Sequence, residues 1–300
     1  MKPIFCYLLF CFITLTMSSQ SQIKKIENFK SEYVQPRNVE VWLPDAYFNN
    51  SEQQFPVLYM HDGQNVFNPK TASYHVAWEA DSIAQQLINE SKIKPVIIVA
   101  SWCTDKRFHE YFPEKATQYL SEKDNQHIEN ARAHMGTAPS DYLADEYLNF
   151  ITKELKPYID KNYRTLSDKN NTSICGSSMG GLISLYAICE YPEVFGQAAC
   201  VSTHWSVLFN NDVMSPSEAI RQYLKDNLPS PTNHRIYFDY GTETLDQYYE
   251  PHQKKVNTIM TKKGYTLNDN WVTKKFEGAS HNEQSWQERF DIILQFLFAK

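Results

Sequence analysis

Residues 173–181 read Ser-Ile-Cys-Gly-Ser-Ser-Met-Gly-Gly, and this run decides the fold. Gly176-Ser177-Ser178-Met179-Gly180 is a G-x-S-x-G element whose middle serine is Ser178. An apolar strand start precedes it. Leu182, Ile183, Leu185, Tyr186 and Ile188 follow at helical spacing. That context predicts a strand turning sharply into a helix, with small residues two before and two after the serine. Such an elbow lifts the Ser178 hydroxyl above the sheet edge. It also aims the next backbone N–H, that of Met179, at the same point as half of an oxyanion hole. A bare G-x-S-x-G is common by chance, so the strand–turn–helix setting carries the reading.

Working outward, the nucleophile needs a base and an acid downstream, in that fold's order of serine, acid, histidine. His281 stands in Phe-Glu-Gly-Ala-Ser-His-Asn-Glu (276–283), between a short apolar stretch at Trp271–Val272 and an amphipathic tail. It is the histidine of the nine that falls on a loop after the last expected strand. Between serine and histidine, residues 234–242 read as a strand running into a turn at Gly241, with Glu243 and Asp246 just beyond. Either carboxylate could orient the imidazole. Asp239 lies inside the strand, too early for that role, and Glu250 reads as a first-turn helix acid.

The rest of the chain repeats one rhythm. Edge strands are expected within 22–53, with the second at Val39–Pro44, then buried strands at 56–61 and 96–101. Further strands are expected at 197–203, 234–240 and 271–276. Helices are expected near 78–89, 143–159 (bent or ended at Pro157), 182–188, 217–226, 250–263 and 283–298. Continuous apolar runs such as Val96-Ile-Ile-Val-Ala are strands of a parallel sheet, and alternation with helices covers both its faces. The expected fold is therefore α/β, with a mostly parallel central sheet. Residues 103–141 break the rhythm: they are long, polar and poor in pattern, and they follow a strand end. This predicts a lid or binding loop over the Ser178 pocket, a surface insertion being the alternative.

Length and composition bound the rest. The 300 residues suffice for one α/β domain, with no internal repeat or linker. The formal charge is −6 and no Lys/Arg block occurs, so nucleic acid is not an expected partner. Residues 1–21 read as a signal peptide. Lys2 is followed by an apolar run from Ile4 to Met17 and by Ser19-Gln20-Ser21, with cleavage before Gln22. The run is short for a membrane span, so export without stable insertion is expected, leaving one domain over 22–300. Cys6 and Cys11 leave with the leader. Cys103, Cys175, Cys189 and Cys200 remain without a C-x-x-C, so no zinc or redox motif is indicated and no metal or cofactor is expected. The last three fall in core elements and read as small buried hydrophobes.

With these residues in view, the chain resembles the putative-esterase family of α/β-hydrolases. That group includes enterochelin-esterase-like enzymes, feruloyl and acetyl-xylan esterases, S-formylglutathione hydrolases and mycolyltransferases. The resemblance spans roughly residues 37–299. It rests on His61-Asp62-Gly63-Gln64-Asn65, on Trp78, on Arg107, Glu110, Tyr111 and Pro113, and on Gly176–Gly181. It rests also on Gly241-Thr242 with Thr244-Leu245-Asp246, and on Gly278–Glu283 with Trp286 and Arg289. It implies an α/β-hydrolase fold and a serine esterase with Ser178, Asp246 and His281 as triad, Glu243 being the alternative acid. It implies the Gln64 N–H as second oxyanion donor beside Met179. Trp78, Arg107 and Glu110 become candidates for lining the substrate pocket, although Arg107 and Glu110 could instead pair with each other. Expected substrates are small-molecule or polysaccharide-linked esters, with acylated plant polysaccharide or a siderophore lactone as examples. Two rival readings stand beside hydrolysis: acyl transfer to an alcohol, and a catalytically silent binding protein.

Overall fold

A computed structural model describes residues 20–134, 141–207 and 215–300. Most of the expected signal peptide, with Cys6 and Cys11, lies outside the described residues. One sheet of eight strands runs through the described residues: β1 (Gln22–Phe29), β2 (Arg37–Leu43), β3 (Val57–Met60), β4 (Ile97–Ser101), β5 (Thr172–Ser177), β6 (Gln197–Val201), β7 (Arg235–Gly241) and β8 (Trp271–Phe276). Their order across the sheet is β1-β2-β4-β3-β5-β6-β7-β8. The β1–β2 and β2–β4 pairs are antiparallel and all later pairs are parallel. β3 to β6 are buried along their whole length, which is why β3 and most of β4 read as apolar runs rather than as alternation, while β5 and β6 also bury Thr172, Ser173, Ser177 and Gln197.

Helices cover both faces. They are α1 (Asp45–Asn49), α2 (Ala80–Asn89), α3 (Arg107–Tyr111), α4 (Glu122–His134), α5 (Ala144–Asn149), α6 (Lys156–Asn162), α7 (Met179–Glu190), α8 (Ser215–Asn227), α9 (Glu250–Lys262), α10 (Glu283–Gln287) and α11 (Phe290–Phe298). One core gathers Val41, Val99, Ile174, Leu182, Ile183 and Phe238 with α5–α9; the other gathers Leu58, Ile98, Ala199 and Tyr237 with α2 and α11. Nearly every residue of α7 is buried, so it is apolar all round rather than amphipathic.

Three expectations change. Pro157 does not end its helix: a π-helical turn at Phe150–Leu155 precedes it and α6 runs on to Asn162. The wider turn spares the proline ring its clash with the preceding carbonyl. The tail helix is two helices. The break at Arg289 (φ −123°) lets its side chain turn under the sheet to Asp239. Residues 103–141 are not an unpatterned loop. They hold α3, a 3₁₀ segment at Glu114–Tyr119 and α4, with Tyr111, Phe112, Ala116 and Ile128 fully buried. Their helices are too short or too polar to show a 3.6-residue stripe, so the sequence pattern hides them. Among the described residues of the segment, only those at its start line the Ser178 cleft: Cys103, Asp105, Arg107 and Phe108. Residues 135–140 lie outside the described residues.

Candidate active site

The cleft opens at the carboxyl ends of the parallel strands, where loops from neighbouring strands converge. Ser178 follows β5 and caps α7 with φ 59° and ψ −121°. The strained turn is held by Ser178 N–H to Val201 O (2.9 Å), and Ser178 O accepts from His204 N–H (3.2 Å). The demand for small residues falls unevenly. A Cβ on Gly176 would sit 2.8 Å from the Gly180 carbonyl, and one on Gly181 would sit 2.9 Å from Thr203 Oγ1. A Cβ on Gly180 would meet only ordinary contacts at 3.5 Å. The expected constraint two residues after the serine thus lies one residue later.

His281 Nε2 lies 2.9 Å from Ser178 Oγ, and its Nδ1 lies 2.5 Å from Asp246 Oδ1. Two loops are clasped to make this possible. His281 N–H donates to Thr244 Oγ1 (2.8 Å), while Thr242 and Glu243 N–H both donate to Ala279 O at 3.0 Å. Gly241 permits the clasp: a Cβ there would stand 2.1 Å from Ala279 O. Asp246 is fully buried, and its Oδ2 accepts from Gly241 N–H (2.6 Å) and the Ser202 hydroxyl (2.5 Å). Burial pushes its carboxyl up, but His281, Ser202 and the Gly241 N–H outweigh that, and its pKa lies below the usual aspartate value. Glu243 is exposed and its side chain stands outside this chain of bonds.

Gln64 follows β3 and, with Met179, lines the cleft of about 510 Å³. Among the described residues neither backbone N–H has a protein acceptor. The Gln64 side chain is tethered across the cleft wall to Cys103, by Cys103 N–H to Oε1 (3.2 Å) and Nε2 to Sγ (3.0 Å). Burial pushes the Cys103 thiol up to about 12, and all four described cysteines are unbridged.

The remaining candidates are placed differently. Arg107 and Glu110 do not pair with each other. Arg107 forks onto Asp62 (2.6 and 2.7 Å) in the cleft wall. Glu110 is 1% exposed and takes Arg37 in a fork (2.6 and 2.9 Å), so it lies outside the cleft and is a core group rather than a pocket group. One helical turn points Arg107 and Glu110 to different neighbours. Trp78 also leaves the pocket list. It is buried behind Trp286, with ring centroids 5.9 Å apart, and Trp286 in turn meets the His281 ring edge-on at 5.0 Å. Sequence reasoning missed Ser202, Asp62 as partner of Arg107, and His204. A signal existed for two of them: Ser202-Thr-His204 is a polar run at the carboxyl end of a parallel strand. His204 Nδ1 lies 2.7 Å from Tyr249 Oη, and burial lowers its pKa to about 3, so it lines the cleft as a neutral ring.

A serine hydroxyl bonded to an imidazole, itself bonded to a buried carboxylate, can lose its proton as it attacks an electrophilic carbon. Comparison with known proteins agrees with that chemistry. The family described as "Putative esterase" matches residues 31–297. The uncharacterized protein YbbA of Bacillus subtilis (strain 168) is 23% identical over 271 residues, 88% of this chain and 93% of that protein. The endo-1,4-beta-xylanase/feruloyl esterase of Xylanibacter ruminicola is 26% identical over 181 residues, 59% of this chain and 20% of that protein. Among solved structures, a ferulic acid esterase has a TM-score of 0.66 at 19% identity, covering 93% of this chain and 98% of that one. The enterobactin esterase FES from Shigella flexneri has a TM-score of 0.67 at 16% identity, covering 92% of this chain and 58% of that one. These two likenesses speak for the α/β-hydrolase fold. With the family match spanning most of its length, the chain belongs to the "Putative esterase" family and is a serine carboxylic ester hydrolase.

Proposed function

We propose that the protein is an exported esterase in which Ser178, His281 and Asp246 act as a triad. His281 takes the Ser178 proton as Oγ bonds to the ester carbonyl carbon. The Gln64 and Met179 N–H groups hold the oxyanion. The C–O bond then breaks and His281 returns the proton to the leaving alcohol. Water repeats the sequence on the acyl-enzyme and frees the acid and Ser178. The observation that carries this reading is the unbroken chain Ser178 Oγ–His281–Asp246, with bonds of 2.9 and 2.5 Å. The substrates in view are acylated polysaccharide and siderophore-type esters. Relatives named feruloyl esterase and ferri-bacillibactin esterase support that range. Residues 22–300 act as one catalytic domain, and residues 1–21 serve as an export leader.

The test uses purified protein lacking residues 1–21. Ser178→Ala should lose about 10³-fold or more in kcat on p-nitrophenyl acetate while staying folded, and should no longer be labelled by a fluorophosphonate. EDTA should change nothing. Full turnover in Ser178→Ala would end the proposal. Acyl transfer in place of hydrolysis would show as acylated acceptor when sugars are added.

A further inference from the structure

Glu283, the first residue of α10, lies two residues beyond His281 and lines the same cleft. It is 8% exposed, and one carboxylate oxygen accepts from Asn65 Nδ2 at 3.2 Å. Among the described residues no lysine or arginine forms an ion pair with it. Burial pushes its carboxyl above the usual range, and neighbouring Asp62 pushes the same way. Its own backbone N–H, His281 and Arg107 only partly oppose them. A carboxylate kept in a cleft without a cation is costly unless hydroxyl groups donate to it.

Asn65 links this carboxylate to a second unusual feature. Its Oδ1 accepts from Ser73 N–H at 2.8 Å, anchoring a turn in which Tyr74 and His75 hold φ of 59° and 56°. Two successive non-glycine residues adopt that conformation only against strain. The result is a tyrosine ring at the cleft mouth that is 87% exposed. Packing gives no reason for the strain, because the ring covers almost nothing.

An aromatic face beside a hydrogen-bond-accepting carboxylate matches the two surfaces of a sugar ring. The C–H face stacks on the aromatic, and neighbouring hydroxyls donate to the carboxylate. The leaving alcohol takes its proton from His281, and Glu283 lines the same cleft two residues further along that loop. The charges of the cleft narrow the class. Arg107 is already forked onto Asp62, and Asp105 is exposed on the rim, so an anionic alcohol meets unpaired carboxylates. We propose that Glu283, Asn65 and Tyr74 form the leaving-alcohol subsite, selecting a neutral glycosyl ring and disfavouring anionic alcohols. This rests on the reading of Ser178 and His281 given above.

The experiment compares wild type, Tyr74→Ala and Glu283→Gln on p-nitrophenyl acetate, an acetylated methyl xyloside and an acetylated methyl glucuronide. In Tyr74→Ala the ratio of kcat/KM for xyloside over p-nitrophenyl acetate should fall about tenfold, chiefly through KM. In Glu283→Gln, which keeps an acceptor oxygen but loses the charge, the ratio for glucuronide over xyloside should rise about tenfold. Either ratio staying within about twofold of wild type would overturn the subsite. So would a wild type that turns over glucuronide as fast as xyloside. Turnover surviving in Ser178→Ala would instead overturn the mechanism beneath it.

Discussion

The Ser202 hydroxyl donates to Asp246 Oδ2 at 2.5 Å and accepts from Arg289 Nη2 at 2.7 Å and Trp286 Nε1 at 3.0 Å. A hydroxyl has one proton and two lone pairs, so Ser202 has used its whole capacity. Its own N–H is bonded to Asp239 Oδ1 at 3.0 Å, and Asp239 is in turn forked onto Arg289. The carboxylate facing His281 is thereby oriented from behind by a buried network reaching from β7 to the start of α11.

Removing that hydroxyl should cost both stability and rate. Ser202→Ala leaves Trp286 Nε1 and Arg289 short of an acceptor and Asp246 short of a donor. The expected loss is about 1–3 kcal/mol in unfolding free energy. A fall in kcat on the order of tenfold should accompany it, because Asp246 gains freedom to turn from His281. Urea titration and p-nitrophenyl acetate kinetics would read both, and wild-type values in each would show that the network does not position the carboxylate.

The two acids left open by sequence should separate cleanly. Asp246→Asn keeps the volume but offers the imidazole the wrong partner, and kcat should fall by about 10⁴, the scale seen in serine proteases. Glu243→Gln changes an exposed side chain and should keep nearly all activity. The reverse pattern would transfer the role to Glu243.

Glu110 should behave as a folding residue, not as a pocket residue. Glu110→Gln leaves the Arg37 guanidinium uncompensated among Tyr147 and Phe150, with which it also makes cation–π contacts at 5.3 and 5.1 Å. Breaking a buried pair from one side costs about 3–5 kcal/mol. A chemical denaturation midpoint that drops while KM holds would bear this out. A raised KM with unchanged stability would return Glu110 to the pocket.

How much of this was legible depended on range. The strands and the elbow were readable because their signals are local: apolar runs, a glycine pair, a strand followed at once by a helix. His281 was readable because chain order restricts it. The partners of Arg107 and Glu110 were not, since Asp62 and Arg37 lie 45 and 73 residues away and any carboxylate or guanidinium fits the pattern. Ser202 was hidden for the same reason: a serine after a strand is ordinary until Asp246, Trp286 and Arg289 converge on it. Trp78 was assigned to the pocket by resemblance, and only packing shows it standing one ring behind, bracing Trp286.

Acid should weaken the fold earlier than carboxylates alone would allow. His61 and His204 are buried, and burial lowers each from 6.5 to about 3. Below pH 6.5 the unfolded chain therefore binds protons that the folded chain refuses, so stability falls as pH falls through that window. Each histidine contributes a slope of about 1.4 kcal/mol per pH unit once the pH is well under 6.5. Asp246 acts in the same direction but later. Its pKa is lowered from 3.8, so its contribution is complete above that value and is lost only below it. Unfolding free energy measured in urea at fixed ionic strength should therefore decline from about pH 6 downward, ahead of carboxylate titration. His61 offers the control. Its Nδ1 lies 2.8 Å from Tyr147 Oη, while its Nε2 is buried without a partner among the described residues. Glutamine there cannot take up a proton in either state, so His61→Gln should remove about one proton's worth of slope. A plateau in wild type from pH 7 to about 5 would mean that the buried rings are protonated in place, which their surroundings oppose.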